Sequence, residues 1–573
     1  MRIVHVNTNE VDGGAARATF RLHSGLRAMG QESHLVVSQK QASDSHTYLV
    51  NPSSAAPQCR QIGGLEVGPL NHLAAIQQHY INNNRTDLSN ILFSFPYPGL
   101  DLTVLPIVRS ADIIHLHWIA GFQSLTTLNA LLKLGKPVFW TLHDMWPFTG
   151  GCHSSGGCTH YQLDCRDCPQ LQQDPLHLPA AVLEDKRQLL SAPILTVIAP
   201  SEKMAGSARR STLFRETRIE VIHNSIDTAS FQPISKPLAK QYFNIPADAR
   251  VIAFGAENAK QRSKGIPELI SVIRQCQQNP EFRAMLNAKQ LYFICCGNAN
   301  SDILALGLPL LNLGLLRSDE KLRYFYSAAD VFVQPSLEES FGNMAIESLC
   351  CGTPVIGFDV GVAPEVINDA QLGKVLPVGD VQSMTEAVLD FANNAEKWRA
   401  MQEDCHKQTS ERFAQKKQAQ HCLELYRELA DQNSSAPAPA VANASLAFEM
   451  AEQSVNLPWD VTLGSAVQTI ETELSAICLS KELESVKARL PHYQSDYQAL
   501  QETLDHREER LQILRDRIQN LRQQIQMKDD ELQAMQEQLT VKDHEIEAMK
   551  TSKFWKLRML WMKVRSRLGR TML

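Results

Sequence analysis

The chain contains no run of 18 or more uncharged apolar residues, so no helix is expected to cross a bilayer. Its start, Met1-Arg2-Ile3-Val4-His5-Val6-Asn7, reads as a buried strand and lacks the longer apolar core and cleavage site of a secretory signal. A large net charge is missing too: 56 Lys and Arg against 62 Asp and Glu leave −6. That balance excludes a global pull toward nucleic acid and confines any basic partner-seeking patch to a local stretch. These absences point to a cytoplasmic protein, in which the 13 cysteines need not be disulfides. Most of them, including Cys295-Cys296 and Cys350-Cys351, fall in apolar runs and read as small core residues.

What is present is enough apolar material for several cores. Hydrophobic residues make up 44% of 573 residues, a length that suggests roughly three to four domain-sized units. Up to residue 430, short β-branched runs alternate with amphipathic helical stretches. Ile3-Val6, Ser33-Val37, Ile113-Leu116, Val138-Leu142 and Ile194-Ala199 form one set. Val251-Phe254, Leu291-Cys295, Val331-Gln334 and Val355-Phe358 form a second. Alternation of this kind predicts parallel sheets with crossover helices, and two tandem sets predict two Rossmann-like α/β domains. The expected organisation is an N-terminal domain over 1–200, a second over 201–385 and closing helices over 386–430. A linker and helical region over 431–490, a coiled coil over 491–550 and a tail over 551–573 complete it.

The linker expectation rests on the Ala/Pro/Ser-rich stretch 433–445. Residues 446–490 read as mostly helical, with no function attached. From Tyr493 to Met549 a heptad holds: Tyr497, Leu504, Leu511, Ile518, Ile525, Leu532, Leu539 and Ile546 occupy every first core position. Such a repeat predicts a coiled-coil homodimer, with Arg507, Lys528 and Lys542 at second positions weakening the seam and fixing register. A single solvated helix is the other reading. The tail 553–570 carries seven basic residues and no acidic one, interleaved with Phe554, Trp555 and Trp561. As a helix it suits the headgroup region of an anionic membrane; packing on the rest of the chain, or nucleic acid, are the alternatives.

The densest chemistry lies in Pro335-Ser-Leu-Glu-Glu339 and its continuation through Gly342 to Cys351-Gly352-Thr353-Pro354. Glu339 falls in a loop at the carboxyl end of the strand Val331-Gln334, and Glu347 lies eight residues on, within a helix. Ligands of doubly wound sheets bind at such crevices. The backbone N–H groups of Phe341, Gly342, Asn343 and Met344 open that helix and favour an anion or hydroxyls. Two carboxylates so separated suit two sugar rings, each accepting from vicinal hydroxyls. A solvated helix start with acids favourable to its dipole explains the spacing equally well.

These residues resemble the retaining family-4 glycosyltransferases of the GT-B fold. Their hallmark is a glutamate, seven residues and a second glutamate, met here by Glu339, Phe341, Gly342, Glu347, Cys351, Gly352, Thr353, Pro354 and Val355, preceded by the family-like Tyr326-Ser-Ala-Ala-Asp-Val-Phe-Val. The resemblance covers about 430 residues in order. It implies a nucleotide-sugar donor, with Glu339 on the transferred sugar, Glu347 on the ribose and Lys264, before Gly265, on the diphosphate. It also implies a transfer with retention and no catalytic metal. The family often has an arginine just after the first strand of the second domain; here Gly255-Ala256-Glu257 stands instead, leaving Arg262 as the substitute. Gly13-Gly14 resembles the family's first-domain loop that approaches the diphosphate. In Asp112-Ile-Ile-His115-Leu-His117, His117 is expected to face the donor sugar and acceptor and His115 to pack in the core. Asn224 and Asp227 read as a structural turn between domains.

One further stretch departs from the common pattern. Cys152, Cys158, Cys165 and Cys168 fall within 17 residues and end in Cys-x-x-Cys. Thiolates at that density suit a structural Zn²⁺ pinning a long loop; a free-thiol loop or a redox-labile pair is the alternative. The stretch is similar to one in an exopolysaccharide, colanic-acid-type branch of family 4. It follows the Val138-Leu142 strand, so His143 and Asp144 either touch an acceptor or cap the following turn. The expectation is a transferase moving a sugar to a glycan or lipid-linked glycan for surface polysaccharide, working at the inner face of the membrane. An epimerase of the same fold and a membrane-tethered coiled-coil adaptor with an inactive GT-B part are the competing readings.

Overall fold

The computed structural model describes residues 1–42, 44–53, 60–62, 65–89, 92–256, 260–297, 301–367, 372–434 and 454–488, and beyond them 519, 522–523, 526–528, 533–551 and 553–568. The chain divides into two compact units, Met1–Lys481 and Glu482–Leu573.

Two parallel sheets organise the first unit. The first has eight strands in the spatial order Arg218–Val221, Leu195–Ala199, Val138–Thr141, Ile113–Leu116, Arg2–Asn9, Glu32–Gln39, Thr47–Pro52 and Ser454–Leu457. Pairing is parallel throughout, with Val4 opposite Ile114 on one side and His34 on the other. The second has six, ordered Leu310–Asn312, Leu291–Gly297, Arg250–Ala256, Val331–Gln334, Val355–Phe358 and Gly373–Leu376. Both are covered on two faces, which is why strands such as Val138–Thr141 and Val331–Gln334 are buried at every residue. Side chains alternate accordingly. Val4, Ile114 and Val197 join the cluster with Leu125 and Leu128, whereas Ile3, Ile113 and Ile198 face Leu22 and Leu26.

In each sheet the order reverses beside the first strand. The crevices lie at the carboxyl ends of Arg2–Asn9 and Ile113–Leu116 in the first sheet, and of Arg250–Ala256 and Val331–Gln334 in the second. The loops after these strands carry Gly13-Gly14, His117, Lys264 and Glu339.

Two boundaries differ from expectation. The strand Arg218–Val221 pairs with Leu195–Ala199, so the first sheet runs past residue 200. The helix Gln415–Ser434 then returns to the first domain, where Ala419, Cys422, Leu423 and Tyr426 pack on Ile3, Leu22 and Phe139. Residues 454–488, expected to be mostly helical, are helical over Ser465–Ala488 and carry two short strands before it. Ser454–Leu457 extends the first sheet beside Thr47–Pro52, Trp459–Asp460 pairs with Gly99–Leu100, and Val467, Leu474 and Cys478 of the following helix enter the first-domain core. Apolar burial along that helix, Ser465–Ala488, is what holds the segment there.

In the second unit the heptad residues Tyr497, Leu504, Leu511, Ile518, Ile525 and Leu532, with Arg507, lie outside the described residues, as does the linker core 435–453. Leu539 and Ile546 sit on the helical stretch 533–551 and are exposed. Lys553–Leu568 is helical, with Phe554 84% and Trp561 60% exposed. Among the described residues no helix is long and apolar enough to cross a membrane.

Candidate active site

The second domain supplies a loop and a helix start. After Val331–Gln334, residues 335–342 run to Gly342, whose φ of 99° opens the helix Asn343–Cys350 without any side-chain cap. A left-handed conformation here favours glycine. The other side of the loop is fixed by Gly265: a Cβ on it would come 1.7 Å from the Pro335 carbonyl oxygen. That close approach carries Lys264, one residue earlier, over the loop. Lys264 Nζ donates to Glu339 Oε1 at 2.7 Å, and Ser336 Oγ donates to the same oxygen at 2.9 Å.

The first domain supplies a second uncapped helix start. Gly13, with φ 88°, precedes the helix Gly14–Ala28, and no side chain satisfies its first N–H groups. The Asn343 amide donates to the Gly14 carbonyl at 3.4 Å, so the two helix starts face each other across the cleft. Around them lie three adjoining cavities. Two of them, of about 350 and 440 Å³, are lined by Glu339, Lys264, His143 and Gly14. The third, of about 620 Å³, is lined by Glu347, Arg17, Arg21, Asn343 and Met344. Each is large enough for part of a nucleotide sugar.

Glu347 is 4% exposed, and each of its oxygens accepts one hydrogen bond. Arg21 Nη2 donates to its Oε1 at 2.9 Å and the Tyr326 hydroxyl to its Oε2 at 3.0 Å. Arg17 stands 3.7 Å from the same carboxylate and is paired with Asp319 as well. Burial, then the Glu347 charge, pushes the Tyr326 hydroxyl well above its ordinary range. Arg17 and Arg21 lie on one face of the Gly14–Ala28 helix, four residues apart, so both reach Glu347 from the other domain. Sequence reasoning missed this pair. The detectable signal was two arginines at helical spacing directly after a Gly-Gly loop.

Three expected residues need correction or qualification. Arg262 does not reach the cavities: its guanidinium pairs with Glu268. Phe341 is buried, packed near His223 and Phe413, and supports the loop from beneath as well as lining the cavity. His117 does not line the cleft. Its Nδ1 and the His143 Nε2 share a hydrogen bond at 3.1 Å, and its Nε2 and the His5 Nδ1 another at 3.0 Å. His143 is the histidine on the cavity wall. Burial lowers it to about 4, Asp144 opposing, and burial with neighbouring imidazoles holds His117 well below the ordinary histidine range. The cleft therefore meets a neutral imidazole backed by a second. His115 is a core histidine as expected, its two nitrogens used by Tyr426 and Thr141.

Asp144 caps the turn, accepting from the Trp146 N–H at 2.9 Å and the Trp118 indole at 2.7 Å. Burial alone raises its carboxyl, but the charge and hydrogen bond of His153 hold it below the usual range. Asn224 lines the cavity at the domain junction, and Asp227 accepts from Ala229 and Ser230 in a turn. The ring nitrogens of His5, His115 and His117 lie within 4.8 Å of one another. Since those of His115 and His117 are spent on hydrogen bonds, the group is a packed polar core rather than a metal site. The four cysteines come together beside the cleft, lining one small cavity. Glu338, beside Glu339, accepts from the N–H groups of Ser155 and Gly156 in the cysteine loop at 2.8 and 2.9 Å.

Two family models match these two halves: Glycosyltransferase Family 4 over residues 12–230 and Glycosyl transferases group 1 over residues 239–412. The chain is a glycosyltransferase of the group 1 and family 4 kind. Among its relatives, the D-inositol 3-phosphate glycosyltransferase of Saccharomonospora viridis is 24% identical over 332 residues, 55% of this chain and 70% of that one. The protein of the same name from Thermobispora bispora is 25% identical over 363 residues, 61% of this chain and 78% of that one. Anabaena Alr3699/HepE, crystallised with UDP and glucose, covers 74% of this chain and 99% of its own at 17% identity and a TM-score of 0.50. That likeness concerns the fold, a two-domain α/β GT-B arrangement.

Proposed function

We propose that this glycosyltransferase takes a sugar from a nucleotide-sugar donor and transfers it, with retention, to a glycan or lipid-linked glycan acceptor of surface polysaccharide. The observation that carries the reading is the convergence of Lys264, Glu339 and Glu347 on one cleft between two uncapped helix starts. The diphosphate lies against the Gly14 and Asn343 helix starts, where N–H groups and the helix dipoles favour negative charge. Lys264 faces the leaving oxygen and Glu339 orients the sugar hydroxyls. Glu347 receives the ribose; each of its oxygens holds one donor, Arg21 or Tyr326, and keeps a lone pair for a hydroxyl.

In the transfer, the bond between the anomeric carbon and the diphosphate oxygen breaks and its electron pair leaves on the phosphate. The acceptor oxygen bonds the same face of that carbon, and its proton passes to the departing phosphate. Lys264 stabilises the charge that builds on the leaving group. His143, rather than His117, contacts the reacting sugars from the first domain.

The helix Lys553–Leu568 supports a membrane-surface location, its exposed Phe554, Trp555 and Trp561 alternating with lysines and arginines. The heptad over 493–549 supports association as a coiled-coil dimer. The reading is tested by incubating the purified full chain with UDP-, GDP- and dTDP-sugars and following binding, donor hydrolysis and transfer. UDP-glucose comes first, because Anabaena Alr3699/HepE was crystallised with UDP and glucose. Saturable binding of one donor supports the reading, and failure of every donor to bind overturns it.

A further inference from the structure

The loop that follows Val138–Thr141 folds four cysteines around a single small cavity. Cys152, Cys158, Cys165 and Cys168 all line it, with Phe93 and Pro179 closing its apolar side. Its volume of about 10 Å³ leaves room for one atom-sized guest. All four are free thiols. We propose that Cys152, Cys158, Cys165 and Cys168 bind one zinc ion as a tetrahedral thiolate site that fixes this loop against the donor domain.

Three observations carry the proposal. The first is the donor set: four sulfurs on one cavity wall are the ligands a closed structural zinc site uses. The second is that the surroundings favour thiolates. The His160 N–H donates to the Cys158 sulfur at 3.4 Å, and backbone groups of Gly150 and Gln170 hydrogen-bond Cys165 and Cys168. Backbone donors directed at the sulfurs are what surrounds the thiolates of a structural metal site.

The third is Lys186. It is fully buried, donates to the Thr149 carbonyl at 2.8 Å and to that of Trp146, and lies 4.3 Å above the Trp146 ring. An isolated ammonium in such a place is costly. Its two carbonyl acceptors lie at the start of the cysteine loop, and the Thr149 hydroxyl donates to the Cys152 carbonyl at 2.6 Å. A zinc tetrathiolate carries a net charge of about −2, the sum of one divalent cation and four thiolates. It gives the buried ammonium its counter-charge and receives partial neutralisation from it.

On binding, each thiol releases its proton to solvent. The same loop presents the Ser155 and Gly156 N–H groups to Glu338, so a metal that rigidifies it also holds the neighbour of Glu339. The site is structural, and its test does not depend on the donor being known.

The full chain, purified without chelator, is expected to contain about one zinc per molecule by elemental mass spectrometry. Replacement of zinc by Co²⁺ alone is expected to give thiolate-to-cobalt charge-transfer bands and the visible bands of tetrahedral cobalt. Cys165→Ser and Cys168→Ser are expected to lose the metal, while Cys276→Ser, in the core of the second domain, keeps it. Chelation is expected to accelerate tryptic cleavage after Arg166, an exposed residue between the last two ligands. Should the loop variants misfold, the Co²⁺ spectrum of the unaltered chain decides. A native chain with no metal and four freely titrating thiols overturns the proposal, and so does a disulfide among the four.

Discussion

Arg21 and Glu347 meet across the cleft at 2.9 Å, although they stand on helices of different domains and lie 326 positions apart. Both are nearly inaccessible to solvent, with side chains 6% and 5% exposed. The Glu347 carboxylate is thus held by the opposite domain, together with Tyr326 from its own.

Breaking this pair from one side leaves a buried charge. Arg21→Ala is expected to destabilise the protein by about 3 kcal/mol, because Glu347 stays buried with its principal cation gone. Glu347→Gln is expected to cost less, because an amide oxygen still accepts from Arg21, which also donates to the Ser225 carbonyl. Urea denaturation of the two variants checks the order. Equal costs, or a harmless Arg21→Ala, contradict a buried cross-domain pair.

Lys264 and Arg262 are two residues apart and separate cleanly. Lys264→Ala is expected to lower kcat by about 10²- to 10³-fold, the scale of losing one preorganised charge at a developing anion. Arg262→Ala is expected to change kcat/KM by only a few-fold, since Glu268 already holds its guanidinium. Steady-state kinetics with the preferred donor distinguishes them. An Arg262 effect as large as that of Lys264 returns this arginine to the diphosphate.

The buried histidines set a pH window. His143 is lowered to about 4 and His115 to about 3, in both cases first by burial, against an ordinary value of 6.5. Below 6.5 the unfolded chain takes up protons that the folded chain refuses, so the unfolded state gains. The contribution of these groups is complete above pH 6.5, falls as the pH drops through the interval from 6.5 to about 4, and is gone below their folded values. Unfolding free energies measured at pH 7.5, 6 and 5 are expected to decline in that order. Stability that rises toward pH 5 contradicts neutral buried imidazoles.

The tail is separable from the chemistry. Truncation before Lys553 is expected to abolish co-sedimentation with anionic phosphatidylglycerol vesicles, removing cations worth about 1 kcal/mol each near such a surface. Donor hydrolysis in solution is expected to persist. Unchanged sedimentation means that the helix Lys553–Leu568 binds elsewhere.

Much of this site was legible because its signals are local. The strands are continuous buried β-branched runs, Glu339 and Glu347 share one loop and helix, and Lys264 immediately precedes the glycine that lets it approach. The missing parts depend on distance. Nothing periodic links Arg21 to Glu347, and a four-residue strand at 454–457 has no composition that marks it as the edge of a sheet begun at residue 2. His117 misled because lying nearer the loop was read as lying nearer the cleft. The structure stacks His143 between them, a contact set by how adjacent strands end rather than by either sequence alone. The reach of the first sheet past residue 200 was faint for a related reason: Arg218–Val221 is a half-buried edge strand with a charged pattern, a weak signal for a sheet member.

The central claim is that Glu339, Glu347 and Lys264 form a nucleotide-sugar site. Isothermal titration of the full chain with the UDP-, GDP- and dTDP-sugar panel tests it most directly. One donor is expected to bind saturably, with affinity reduced at least tenfold in Glu347→Ala and the corresponding free nucleoside diphosphate competing for the same site. No binding by any donor, or binding that Glu347→Ala leaves untouched, contradicts the assignment.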